Sequence, residues 1–239
     1  MQIYFVSFAD SKYAKTLARI RTEAIAMGVF DDIFCLSEAG LDDEFRAKHQ
    51  EFIQANPRGY GYWIWKGQVI KQALRQIPAG AILFYTDAGC SLNQKGIPRL
   101  LEYCEMIEAS PAHRLVFQLG EQFRERFWTK KYCLDFMGAL KPEVMNSPQI
   151  IGGIFGIKKG IRSQSFVDAY AANLLNYDLV SDEAIVPNEP DFREHRHDQS
   201  VWSIMNKLAD PTPVILPDET YFPDNWDNGY PFHARRLRF

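Results

Sequence analysis

Ala81-Ile82-Leu83-Phe84-Tyr85-Thr86-Asp87-Ala88-Gly89-Cys90 is the stretch on which the reading of this chain turns. An apolar and aromatic run, with Pro78-Ala79-Gly80 before it and small residues after it, reads as a central strand buried on both faces. It ends on Asp87. Ligands of open α/β sheets sit outside the carboxyl ends of the strands, so an acid there, followed by Ala88 and Gly89, is placed to meet a ligand or its metal. The same aspartate can equally cap a helix or close a turn.

Working outward, residues 2–9 read as a first strand, and Asp10 or Ser11 can cap a helix carrying Tyr13, Leu17, Ile20, Ala24 and Met27 until Gly28 stops it. A short strand over 32–37 leads to a helix from about Asp42, where His49 lies beside the stripe of Phe45, Phe52 and Ile53 and reads as a packed or surface histidine. Helices are expected over 68–76, 97–107 and 163–176, strands over 114–119 and 149–158, and a last helix from the Arg196-His197-Asp198-Gln199-Ser200 turn through Leu208. Strands alternating with helices, with connections long enough for crossovers, predict one α/β, Rossmann-like domain over residues 1–239. Its sheet should be mostly parallel, with helices on both faces.

Composition narrows the partners. Apolar residues at 46% and charged residues at 24% predict a buried core throughout. A net charge of −3 offers no general field for nucleic acid, so any anion must be met locally. Cysteines 35, 90, 104 and 133 form no CxxC pair and no secretory leader is read before them, which fits reduced thiols in a cytoplasm. No apolar run approaches the roughly 18 residues of a membrane span, so membrane contact would be at most peripheral, at the inner face. No GxGxxG follows the first strand, and GxxxxGK[ST], GxSxG and HExxH are missing, which disfavours a dinucleotide site, a P-loop, a hydrolase elbow and a zinc protease.

Four groups can carry chemistry. Asp87 can hold a hard cation such as Mg²⁺ or Mn²⁺ that bridges phosphates. Asp198 opens a helix, where it is either a cap, a general base toward an acceptor hydroxyl, or an orienting group, with His197 beside it able to bond the same substrate. Two basic and aromatic segments, residues 60–66 with Tyr62, Trp65 and Lys66, and residues 128–131 with Trp128 and Lys130, suit a base or sugar face and a phosphate, or are ordinary packed stripes with snorkelling lysines. The tail bearing His233, Arg235, Arg236 and Arg238 can fold over a site and bring counter-charges, or it can be a frayed end. Residues 56–66 fit neither a strand nor an ordinary helix, and glycines such as Gly152 and Gly153 inside a strand pattern signal a group passing close to the backbone, which a substrate could be.

Taken in order, GYGYWIWK at 59–66, ILFYTDAGC at 82–90, WTKK at 128–131, QIIGGIFGIKK at 149–159 and RHDQS at 196–200 resemble bacterial GT-A-fold glycosyltransferase-like proteins, many of them associated with capsule or surface polysaccharide synthesis. The resemblance implies a nucleotide-diphospho-sugar donor, a glycan or lipid-linked acceptor, and a divalent cation. It implies that Asp87 faces the metal, ribose or diphosphate, that Asp198, flanked by His197 and Gln199, faces the acceptor or reacting sugar, and that His233 completes the metal site. Tyr62, Trp65, Lys66, Lys130, Gly152 and Gly153 would line the substrate. The fold's usual Asp-x-Asp keeps its first acid here as Asp87 and has Gly89 in place of the second. The alternative is a non-catalytic relative that binds nucleotide-sugar or glycan. A phosphoryl-transfer enzyme using Asp87 as acceptor lacks the neighbouring acid and threonine it would need.

Overall fold

The computed structural model describes residues 1–238. In chain order its elements are β1 (Ile3–Phe8), α1 (Ala14–Met27), β2 (Asp32–Leu36), α2 (Asp43–Ala55), α3 (Gly59–Tyr62), α4 (Trp65–Gln76), β3 (Ile82–Thr86), β4 (Ser91–Leu92), α5 (Ile97–Ala109), β5 (Arg114–Gln118), α6 (Glu125–Trp128), α7 (Lys131–Phe136), α8 (Pro142–Met145), β6 (Ile150–Lys158), α9 (Ile161–Leu174), α10 (Tyr177–Val180), α11 (Asp198–Leu208), β7 (Val214–Pro217) and β8 (Phe232–His233). Six strands form one sheet in the order β2-β1-β3-β6-β5-β7, and β4 pairs with β8 beside it.

The sheet is mostly parallel, as the alternation predicts. β1 pairs parallel with β2 and β3, and β5 with β7, whereas β6 runs antiparallel to both β3 and β5. The reversal of β6 has a direct effect on the rim: its first residues lie where the other five strands end. Successive side chains of a strand point to opposite faces, and both faces are covered here. Tyr4, Val6, Leu83, Tyr85, Phe155 and Ile157 join a core with residues of α2, α4, α9 and α11. Ile3, Phe5, Ile82, Phe84, Leu115 and Ile154 join a second core with α1 and α5. Each fully buried Leu, Ile or Phe side chain stabilises the fold by about 1.5–3 kcal/mol relative to exposure. Both sides of β3 are therefore committed to packing, and only its end is left to meet a ligand.

α4 starts at Trp65, three residues before the periodicity alone indicates, because Trp65 and Lys66 are themselves buried. It crosses α9 closely at Gly67, where a Cβ would lie 2.5 Å from the Cα of Ala171. Just before α4 the backbone turns left-handed. Gly59, Tyr60, Gly61, Tyr62 and Trp63 all have positive φ, between 51° and 82°. Such a conformation costs roughly 1–2 kcal/mol for each non-glycine residue, so neighbours must hold it. The Trp65 indole N–H donates to the Gly59 carbonyl at 2.9 Å, and a Cβ on Gly59 would run into the Trp63 ring at 2.4 Å.

Candidate active site at the sheet rim

Asp87 follows β3 at the open edge of the sheet, and its amide donates to the Gly153 carbonyl of β6 at 2.8 Å. Its side chain keeps 42% exposure. Oδ1 accepts from the Tyr85 hydroxyl at 2.7 Å and lies 3.1 Å from the ammonium of Lys66. That ammonium is buried, and it donates also to Asp198 Oδ2 at 2.5 Å and to the Gly152 carbonyl at 3.1 Å. An ammonium has three donors, so Lys66 is saturated by α11, β3 and β6 at once. Burial opposes its charge, but Asp198 and Asp87 outweigh burial and raise its pKa above the usual lysine range. Burial pushes the Asp198 carboxyl up to about 6 against the pull of Lys66, so the pair is ionised at neutral pH.

The turn before α11 is docked by rings. His197 stacks with both Tyr62 and Trp63, with centroids 5.0 and 5.2 Å away, so the left-handed turn at 59–63 and the start of α11 meet at this ring. Its Nδ1 is 2.7 Å from the Val180 carbonyl and must therefore carry the proton. His197 itself has φ 50°, a second strained residue at the same junction. Burial lowers its pKa, so the ring is neutral where it packs. Gln199 accepts from the Gly152 amide at 3.2 Å and donates to Gln149 at 2.8 Å, pinning α11 to β6.

The glycines of β6 admit protein groups. A Cβ on Gly153 would sit 2.7 Å from Asp87 Oδ2, and one on Gly152 would sit 2.9 Å from the Gln199 Cα. The close approach expected from the sequence is made here by Asp87 and α11. Lys130 is buried as well, its ammonium donating to the carbonyls of Ser181 at 2.7 Å and Glu183 at 3.0 Å. Trp65 is buried and stacks on Phe8. Asp87, Lys66, Gly152, Gly153, Asp198, Gln199, His197 and Tyr62 thus converge, whereas Lys130 and Trp65 brace the interior. His49 packs, its Nδ1 2.6 Å from the Tyr177 hydroxyl.

The tail does fold over the rim. β8 pairs with β4, and the Leu237 amide donates to the Gly89 carbonyl at 2.8 Å. Arg19 of α1, which no sequence signal singled out, donates to the carbonyls of Ala88 and Cys90 at 2.7 and 2.6 Å. Tyr85 was equally hidden, since an inward-facing strand tyrosine reads as core.

A divalent cation needs several hard oxygen ligands. Asp87 is the one exposed acid of the constellation, and its Oδ1 already accepts from Tyr85 and Lys66. Gly89, where a second acid would stand, is roofed by the backbone of Arg236 and Leu237. Asp198 is taken up by the Lys66 ammonium. His233, the candidate from the tail, has Nε2 3.0 Å from the Asn228 side-chain oxygen. Among the described residues no three His, Cys, Asp or Glu side chains gather as a metal site. The residues present do not fit the cation that the resemblance implies.

No protein-family model matches the chain, and no curated protein does. Among solved structures the chain is similar to a glycosyltransferase involved in the glycosylation of the major capsid of PBCV-1, at 14% identity and TM-score 0.47 over 91% of this chain and 81% of that one. It is similar to mouse xyloside xylosyltransferase 1 at 12% identity and TM-score 0.46, over 90% and 85%. The galactosyltransferase LgtC, solved with donor and acceptor sugar analogs, follows at 13% identity and TM-score 0.42, over 90% and 72%. At such scores these are distant likenesses that assign no role to any residue of this chain.

Proposed function

We propose that the protein is a glycosyltransferase moving a sugar from a nucleotide-diphospho-sugar to an acceptor hydroxyl of a glycan or lipid-linked glycan. Support comes from one observation: the Lys66 ammonium joins Asp87 to Asp198, so the strand-end acid and the RHDQS turn, far apart in sequence, form one site with a single exposed carboxylate. In the reaction the bond from the anomeric carbon to the diphosphate oxygen breaks, and its electron pair leaves with the diphosphate. A bond to the acceptor oxygen forms as that oxygen releases its proton, which the departing diphosphate takes up. Asp87, oriented by Tyr85 and Lys66, is the group that meets donor hydroxyls at the rim. Asp198, at 5% exposure, acts through Lys66 as a positioning residue. No helix among the described residues is long and apolar enough to cross a membrane, so a lipid-linked acceptor would be met at a membrane surface.

The test is release of free nucleotide from UDP- and GDP-sugars in the presence of oligosaccharide acceptors. Asp87→Asn is expected to lower release by about 100-fold, the scale on which one electrostatic group at a reacting centre acts, with a melting temperature within a few degrees of wild type because the side chain sits at the solvent edge. A second reading, a nucleotide-sugar or glycan-binding protein without turnover, draws on the lone acid at the rim. Binding without release on every acceptor would select it, and absence of binding would remove both.

A further inference from the structure

We infer that the donor diphosphate is held by fixed side-chain charges of this chain, with Arg236 and Arg196 facing it and Lys66 behind Asp87, and that its binding needs no divalent cation. The inference rests on the nucleotide-sugar reading. It starts from the disagreement at the rim: the space between the two acids of the site is filled by an ammonium 2.5 Å from one and 3.1 Å from the other. An ammonium so placed offsets one of the two carboxylate charges and needs no ligands beyond those present.

The chain also places guanidinium groups around the Asp87 turn. Arg19 is fixed on the Ala88 and Cys90 carbonyls, with Glu23 as its ion-pair partner at 2.5 Å. The backbone of Arg236 covers Gly89 so closely that a Cβ there would be 3.4 Å from the Arg236 Cα, and its side chain is exposed. Arg196, two residues before Asp198, lies over the Trp128 ring with its Cζ 4.2 Å from the centroid. Its only acid within ion-pair range among the described residues, Glu194, is 3.5 Å away. Burial lowers the Arg196 pKa, with the charges of Arg236 and Arg58 set against the pull of Glu194. Two guanidinium groups that repel in the free protein gain most when an anion enters between them, and the planar fork of each matches phosphate oxygens. Arg236 arrives on the tail, so the tail contributes charge to the site as well as cover.

The experiment is calorimetric titration of the full chain with UDP, GDP, ADP, CDP, dTDP and inorganic pyrophosphate, once in EDTA and once in Mn²⁺. It is repeated with Arg236→Gln, whose fold is checked by melting temperature. The expected result is that at least one nucleoside diphosphate binds in EDTA with a Kd within about threefold of that in Mn²⁺, and that Arg236→Gln weakens it about tenfold, each tenfold being about 1.4 kcal/mol. Binding that tightens more than about tenfold with Mn²⁺, or that ignores Arg236→Gln, overturns the inference and leaves the glycosyltransferase reading standing. No binding of any diphosphate in either buffer overturns both.

Discussion

Lys66 and Lys130 are each 1% exposed, and from sequence each suits a phosphate equally well. Their surroundings differ in kind. The Lys130 ammonium donates to backbone carbonyls, dipoles with no formal charge, and burial lowers its pKa against the more distant pull of Asp178, Asp182 and Glu183. Lys66 meets two carboxylates and its pKa is raised. Equal exposure therefore does not fix which way a lysine's pKa moves, and the partner decides. One lysine ties loops together, while the other makes an electrostatic joint between the strand-end acid and the last helix.

The widest separation between the two is expected on removal of the ammonium. Lys66→Met leaves Asp198 buried without a partner and should cost about 3–5 kcal/mol in urea unfolding. Lys66→Met combined with Asp198→Asn should recover a large part of that stability without recovering turnover. A single variant as stable as wild type would break the comparison. Lys130→Met strands two carbonyls and should cost less, about 1–3 kcal/mol, and it should leave diphosphate affinity unchanged. Weaker binding in that variant would return Lys130 to the site. The smallest effect concerns His195, which accepts from the Lys130 amide at 3.2 Å, and His197. Burial lowers both their pKa values, whereas an unfolded histidine titrates near ~6.5. Protons therefore favour the unfolded chain below that pH, and the stability these rings contribute is present above it and lost as pH falls. Asp198, with its raised pKa, works in the opposite sense as it protonates. In Asp198→Asn, which removes the opposing titration, the urea midpoint should be flat from pH 7 to 8 and decline from pH 6.5 to 5.5, and a midpoint of that variant that holds at pH 5.5 would contradict the lowered histidine pKa values.

Much of the framework could be read from pattern. Two-sided burial is written into residues 82–86 as an unbroken apolar run, and the strands at 3–8 and 114–118 lie within a residue of where periodicity puts them. The reversal of β6 is not written there, because a long connection through α6, α7 and α8 allows either direction. β7 was missed because its burial alternates and two of its four residues are exposed. At the rim, the acid and its exposure were legible. The bond from Lys66 to a carbonyl 86 residues later was not, since whether an ammonium turns outward or inward depends on what the rest of the chain puts opposite it. Gly152 and Gly153 gave the signal of a close approach, which Gln199 and Asp87 make.

The left-handed turn at 59–63 has a dynamic corollary. A segment wound against its preferred hand is held in part by the contact of Tyr62 and Trp63 with the His197 ring. Should the start of α11 lift away, the turn has every reason to unwind with it, so amide hydrogens in the two segments are expected to exchange with deuterium at a common rate, as one opening unit. Motion at the rim would then be all or none: the clasp is shut, or both arms let go.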